Sequence, residues 1–589
     1  MRRILAVGVA AFALLGVLRP DAFAQAPTPT FRINGLIDQV GTYAYNVSNV
    51  DSDFHRKDTT FYGRTRGRWD IIGEYGKVKG VLGLEADLVY GQTGLTESNI
   101  ATAAAGGGGA APAAGATFVG NGTDGGVGLN SDVRGILEIK WLYTEFEVPF
   151  IPAPTMVRLG VQPWGSIATY KLAAYASGDF AGVNFVTTIN PNVRLIAAFA
   201  QTEEAMSGRQ TNCGSSACNV TTTGNFGVNR FQLKGDDWAV ILAPEVTPVK
   251  GLDIKPMYSY FSASGTTQSS SRSMRGGINN NWFQNATGIP AAGNTAQEDG
   301  TWRKGINEDR NTVGIDARWN VGGFYLNPTI NYQFGSVSRV APNAANIANG
   351  GASNPTPFQD SGVISGRKYN ARLDAWLIDI RSGFQIGPLL LEGMLMYTTG
   401  NHARNNTLNH DQTYQPLDTD TGYLADWGPQ LTALGVDYLQ AMNEGAGQVG
   451  YQGNYIGYDK YGRIAVSPRV TYAWTPLLSM YGGVIANFTA TEVQRNASAV
   501  YQNGAAAGVV PIFNCNGTPG GRCGLGTSRY MGTELFTGVD WKFAPGITWS
   551  NAAGYMFTGD VFDTMTNPST GSRDAHNVYI VTSRVRFTF

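Results

Sequence analysis

The sequence predicts an all-β protein: a transmembrane, antiparallel, up-and-down β-barrel of about 18 strands (16–18), with short periplasmic turns and long extracellular loops. Three observations carry this expectation. Charged residues make up only 15 % of the 589 residues while glycine contributes 76, against roughly 25 % charged in an ordinary soluble protein. After the first eighteen residues no apolar run approaches the roughly 20 residues of a spanning helix, which excludes a helical membrane protein. Beyond Thr30 the chain is a succession of short segments in which apolar and polar residues alternate, the one membrane-crossing pattern that hydropathy misses. The 43 Lys and Arg nearly balance the 44 Asp and Glu, so the chain carries no electrostatic footprint for a nucleic-acid partner.

The first element is a leader. Arg2 and Arg3 precede an apolar run from Ile4 to Leu18, and Ala22-Phe23-Ala24 has the small-x-small pattern of a secretory cleavage site. Residues 1–24 are therefore read as a cleaved signal peptide and 25–589 as a single barrel domain of an exported protein. Cysteine usage agrees with export. Cys213 with Cys218 and Cys515 with Cys523 form two close pairs inside Gly/Ser/Asn-rich stretches, and are read as two small loop disulfides. Their spacing fits neither a zinc knuckle nor a haem attachment motif.

Period-two patterning then places strands at 30–45, 58–75, 78–90, 136–149, 155–162, 181–189, 193–203, 236–247, 252–264, 310–321, 324–335, 372–386, 389–397, 463–475, 478–490, 530–543, 547–558 and 577–589. Alternate connections are tight, at Gly76-Lys77, Asn190-Pro191-Asn192, Gly322-Gly323, Gly387-Pro388 and Ala544-Pro545-Gly546. The others are long, over 91–135, 204–235, 265–309, 336–371, 398–462 and 491–529. Such one-sided asymmetry is foreign to a soluble domain and is the layout of an outer-membrane barrel. Within strands one face suits lipid and the other water. In the eleventh, Phe324, Leu326, Ile330, Tyr332 and Phe334 oppose Tyr325, Asn327, Thr329, Asn331 and Gln333; in the tenth, Val313, Ile315 and Trp319 oppose Thr312, Asp316 and Arg318; in the fourteenth, Val466, Val470 and Tyr472 oppose Ser467, Arg469 and Thr471. Trp69, Trp141, Trp474, Trp541 and Trp549 are expected on outward faces as an interfacial girdle.

The chain ends Val585-Arg586-Phe587-Thr588-Phe589, an alternating strand closing on a terminal phenylalanine. With the leader and the hairpin rhythm it resembles the outer-membrane porins of Gram-negative bacteria. The resemblance implies residence in the outer membrane, contact with its lipid, and recognition of Phe589 by the barrel-assembly machinery. The strand count is also similar to that of alginate-export barrels.

Barrels of this size leave an aqueous channel whose selectivity falls to inward side chains and infolded loops. Parity places Arg64, Arg66 and Arg68 inward on the second strand, Arg584 and Arg586 on the last, and Arg32 on the first, so that six arginines are expected to share one wall across the barrel seam. Two readings stand. The wall favours anionic solutes, or the arginines pair with inward carboxylates such as Asp38, Asp70, Glu85, Asp87 and Glu534 and keep the lumen wet. The connection from Gln162 to Phe180, with Trp164, Tyr170 and Lys171, is a candidate constriction loop by its position between the fifth and sixth strands. Within 398–462, Pro429 to Met442 reads as a short amphipathic helix, and Asp418-Thr419-Asp420-Thr421-Gly422 begins a calcium-loop pattern whose bidentate acid is out of register. His55, His402, His410 and His576 fall in expected outer loops without a nucleophile elbow, zincin or phosphate-cradle motif. The sequence therefore offers no enzyme, cofactor or metal site. Three functions are consistent with it: a passive porin for small hydrophilic solutes, anionic ones on the first reading of the wall; a dedicated exporter of an acidic polysaccharide; or a barrel sheathing a partner such as a multihaem cytochrome. Oligomeric state, monomer or trimer, is left open.

Overall fold

The computed structural model describes residues 28–46, 59–90, 125–127, 136–149, 151–164, 175–176, 179–204, 236–265, 306–340, 368–400, 410–417, 462–491, 496–497, 528–562, 564–567 and 571–589. Its principal strands are β1 (Thr30–Tyr45), β2 (Thr59–Tyr75), β3 (Val78–Tyr90), β4 (Ile136–Glu147), β5 (Thr155–Pro163), β6 (Asp179–Asn190), β7 (Val193–Glu204), β8 (Asp236–Val249) and β9 (Leu252–Gly265). The second half supplies β10 (Ile306–Val321), β11 (Phe324–Val340), β12 (Lys368–Ile386), β13 (Leu389–Thr398), β14 (Arg463–Thr475), β15 (Leu478–Phe488), β16 (Tyr530–Ala544), β17 (Ile547–Thr558) and β18 (Val578–Thr588). Each pairs antiparallel with its neighbours in sequence, and β18 pairs antiparallel with β1 from Leu36↔Thr588 to Tyr45↔Tyr579. The sheet therefore closes into an 18-stranded barrel with no free edge. This is the fold that period-two patterning predicts, strand for strand; the largest differences are at β10, β11 and β12, which run four or five residues further toward the long-loop end.

The tight turns all lie at one end. Gly322 and Gly387 hold φ values of 60° and 57°, a left-handed conformation that the two-residue hairpin turn requires and that a side chain would oppose. Period two then sorts the side chains. Val313, Ile315, Trp319, Val466, Val470, Tyr472 and Trp474 are exposed on the outer surface, while Thr312, Asp316, Thr329, Asn331, Gln333 and Ser467 are buried inside. Outward aromatics gather in contact at both ends of the strands, Trp541 with Trp549 (6.2 Å) and Trp319 with Phe324 (6.0 Å) towards the turns, Tyr332 with Trp376 (4.5 Å) and Trp238 with Tyr260 (5.5 Å) towards the loops. Two such girdles bound a hydrocarbon layer.

Trp141 departs from the sequence expectation. A register shift sets Trp141 opposite Gly83 and Ile139 opposite Leu84, so Lys140 is an extra residue and the parity of β4 inverts there. Trp141 consequently lies on the inner face, over Gly83, and its indole N–H donates to Asp179 Oδ1 at 2.7 Å.

The seam is finished by the last residue. Gly35 N donates to Phe589 O at 2.9 Å and Phe589 N to Gly35 O at 3.0 Å. A Cβ at Gly35 would stand 2.6 Å from the backbone O of Arg68 on the neighbouring strand and 2.7 Å from Cζ of the Phe589 ring that covers it. Gly35→Val is expected to weaken the closed barrel by roughly 1–3 kcal/mol through overpacking, read as a lower temperature for loss of the compact band in heat-modifiable gel migration; an unchanged transition would show that the ring and the neighbouring strand can both shift at no cost.

Candidate functional site

The interior of the barrel is the candidate site, and its most charged wall lies at the seam. β18, β1, β2 and β3 are consecutive neighbours, and register sets Arg584, Val40 and Arg64 at one level and Arg586, Asp38 and Arg66 at the next. Arg584 donates from Nε to Asp38 Oδ1 at 2.5 Å and also pairs through Nη2 with Asp38 Oδ2, which Arg586 Nη2 approaches at 3.2 Å. On the other side Arg66 makes a two-pronged contact with Asp87 (2.6 and 2.5 Å), Arg68 bonds Glu85, and Arg64 stands 3.7 Å from Asp87. Lys140 extends the cluster, 3.9 Å from Glu85 and 2.9 Å from Asp179. Arg32 stands apart near the turn end, where it bonds Glu74 at 2.9 Å. Five of the six arginines named from sequence are thus brought together, and they are paired with carboxylates.

The pairing is layered. The side chains of Asp38, Glu85 and Asp87 are at most 9 % exposed, whereas those of Arg66, Arg68, Arg584 and Arg586 are 17 to 40 % exposed. The carboxylates lie against the wall and the guanidinium groups form the surface above them. A solute in the lumen meets the guanidinium donors first.

The remaining inward residues named from sequence belong to mixed-charge clusters further round. Asp316 accepts from Thr329 Oγ1 at 3.1 Å and is the cross-strand partner of the fully buried Lys255, whose Nζ is 2.5 Å from Glu245. Arg318 lies one step nearer the turns, opposite Asp253. Arg469 Nε donates to Glu392 Oε2 at 2.7 Å, and Glu392 Oε1 accepts from the Tyr325 hydroxyl at 2.6 Å.

Two connections enter the lumen, one after β5 and one after β13. The one after β5 turns in at once: Trp164 packs edge-on to Phe180 (5.8 Å), and Trp164, Tyr175 and Ala176 lie in a buried cluster with Ala198, Ala200, Ala239, Ile241, Phe261 and Ala263 of the inner wall. Tyr170 and Lys171 lie outside the described residues, as do the four cysteines, His55, His402, the calcium-like loop and the 429–442 helix. The second is a stretch from His410 to Leu417 between β13 and β14. His410 and Asp411 pair in parallel with Arg372 and Leu373 of β12, above the point where the short β13 ends. The chain then lies along β10 and β11. Gln415 N donates to Gln333 Oε1 (2.9 Å) and Gln333 Nε2 returns a bond to Gln415 O (2.8 Å). Arg310 donates to Gln415 Oε1 (2.8 Å) and Asn331 to the Tyr414 hydroxyl (3.0 Å). The two infolds join where Leu417 N donates to Tyr175 O at 2.7 Å, and Tyr175 is itself tied to Ser259 by a 2.8 Å bond. The second infold was not foreseen, yet a signal existed. Ala198, Ala200, Ala239, Ala263, Leu377, Met394 and Met396 make the inner face apolar as well as the outer, which a water-filled lumen does not call for.

Closure, an apolar outer belt and a charged interior define the chain as a transmembrane β-barrel of the outer-membrane type. No family model matches the sequence, and no curated protein matches it. The structure is similar to that of the outer membrane protein opdK from Pseudomonas aeruginosa (TM-score 0.43, 9 % identity, covering 95 % of this chain and 98 % of that one), a BenF-like porin from Pseudomonas fluorescens (0.41, 8 %, 95 % and 99 %) and Acinetobacter baumannii OccAB1 (0.41, 12 %, 95 % and 97 %). The fold itself stands on the strand pairing of this chain.

Proposed function

We propose that the protein is an outer-membrane porin, a channel through which small hydrophilic solutes diffuse passively, with a preference for anions. The observation that carries this reading is the layered seam wall: buried carboxylates hold four partly exposed guanidinium groups at the lumenal surface, so that the wall is basic where a solute touches it although its arginines are paired. The low-dielectric walls behind these charges focus their field into the lumen. The infolds narrow the lumen, which suits small solutes and leaves less room for an extruded polymer or a sheathed protein than an empty 18-stranded barrel would. The test is planar-bilayer conductance of the refolded protein across a salt gradient. The expected result is an ohmic channel whose reversal potential reports anions as the more permeant ions; absence of ion conductance would overturn the porin reading, and cation preference would overturn the anionic one.

A further inference from the structure

Resting on the porin reading, we propose that the lumen holds a second solute station at its turn-side mouth, an alcove that takes zwitterionic solutes bearing a carboxylate at one end and an ammonium group at the other. The alcove encloses about 390 Å³ between β7, β8, β9 and β10, at the level of the Pro191-Asn192 turn. That is the size of a small-molecule pocket. It lies on the far side of the barrel from the seam arginines and shares no residue with them.

Its lining carries both signs in fixed places. Arg194 is half-exposed and bonds the buried Glu245, which Lys255 holds from behind at 2.5 Å. Glu245 is therefore neutralised within the wall, and Arg194 is anchored with its outer edge toward the cavity. Asp253 and Arg318 are directly opposed across β9 and β10, which sets their Cβ atoms about 5 Å apart. Asp253 is oriented by the Thr247 hydroxyl, which donates to its Oδ1 at 2.5 Å. Two guanidinium groups and one oriented carboxylate thus share one cavity wall. A solute that is only an anion meets Arg194 and Arg318 but also the Asp253 charge; one that adds an ammonium group satisfies all three. The seam wall offers a different surface, because its carboxylates are covered. Two stations of different charge pattern on opposite sides would let the seam attract anionic groups and the alcove discriminate among the solutes that carry them.

Single-channel recording with solute added on the turn side tests this, with 4-aminobutyrate and butyrate as matched probes. In the unaltered protein 4-aminobutyrate is expected to interrupt the current with dwell times about tenfold longer than butyrate, a difference of about 1.4 kcal/mol. Asp253→Asn should bring the two probes to the same dwell time, and Arg194→Ser with Arg318→Ser should shorten both. In all these variants the salt-gradient reversal potential is expected to keep its sign, since the seam arginines are untouched. Equal dwell times for both probes in the unaltered protein, or undiminished discrimination in Asp253→Asn, would overturn the alcove while leaving the porin reading intact. An absence of conductance would instead remove the reading on which it rests.

Discussion

Exchanging Arg64, Arg66 and Arg68 for serine is expected to reverse the ion preference of the channel rather than merely reduce it. Arg66 and Arg68 lie over Glu85 and Asp87 and are bonded to them directly, and the buried Arg64 stands 3.7 Å from Asp87. Their removal strips the two surface charges of Arg66 and Arg68 and the buried charge of Arg64, and uncovers two carboxylates whose charge they had masked. With Arg584 and Arg586 still committed to Asp38, the β2–β3 part of the wall becomes acidic, and the reversal potential should change sign. The effect should be largest in dilute salt and fade as the Debye length shrinks from about 10 Å at 0.1 M to about 3 Å at 1 M. Leaving one partner of a buried pair alone costs roughly 3–5 kcal/mol, so the triple variant risks poor folding. Arg66→Gln with Arg68→Gln is the milder companion, expected to lower the anion-to-cation permeability ratio without changing its sign, and Arg66→Lys with Arg68→Lys should preserve it. An unchanged ratio in both the serine and glutamine variants would assign these arginines to wall cohesion alone.

The strands were legible because each must satisfy one rule locally: apolar residues to lipid, polar residues inward, glycine at the turn. That rule places Val313 and Asp316, or Phe334 and Gln333, on their correct faces from the sequence alone. It also locates Arg64, Arg66, Arg68, Arg584 and Arg586 on one wall across the seam, since closure makes β18, β1 and β2 neighbours. Their partners were harder to read. That Asp38 lies beneath Arg584 and Arg586 depends on register across the closing seam, and register is set by the whole circle of strands. Trp141 shows how fragile parity is, for one extra residue at Lys140 turns it inward. The infold of residues 410–417 lies beyond the rule altogether. Nothing in His410 to Leu417 alternates strongly; the information sits instead on distant strands, in the alanines and methionines of the inner wall and in Arg310 and Gln333, whose polar groups need partners once they are buried.

Releasing that infold is expected to have the largest effect on the amount of current. Tyr414 is buried among Leu377, Met394, Met396, Ala465, Ile485 and Phe536, and truncating a buried aromatic costs roughly 3–5 kcal/mol. Gln333 supplies a two-point contact to the Gln415 backbone, and the Gln415 side chain bonds Arg310; each such bond contributes about 0.5–1.5 kcal/mol. Tyr414→Ala, Gln415→Ala and Gln333→Ala together remove every one of these holds while leaving the barrel strands paired. The segment should then leave the wall intermittently, giving a noisy current with excursions well above the unaltered conductance. A disulfide clamp separates this from general loosening of the barrel. His410 and Arg372 are register partners in the parallel pair, and Cα atoms at that spacing fall within the range a disulfide can bridge. Oxidised His410→Cys with Arg372→Cys should leave the otherwise unaltered channel quiet and, added to the triple variant, suppress the excursions until a reductant is supplied. If the triple variant conducts as steadily and as weakly as the unaltered protein, residues 410–417 do not obstruct the lumen, and the narrowing of the channel must be sought in the connection that carries Trp164 and Tyr175.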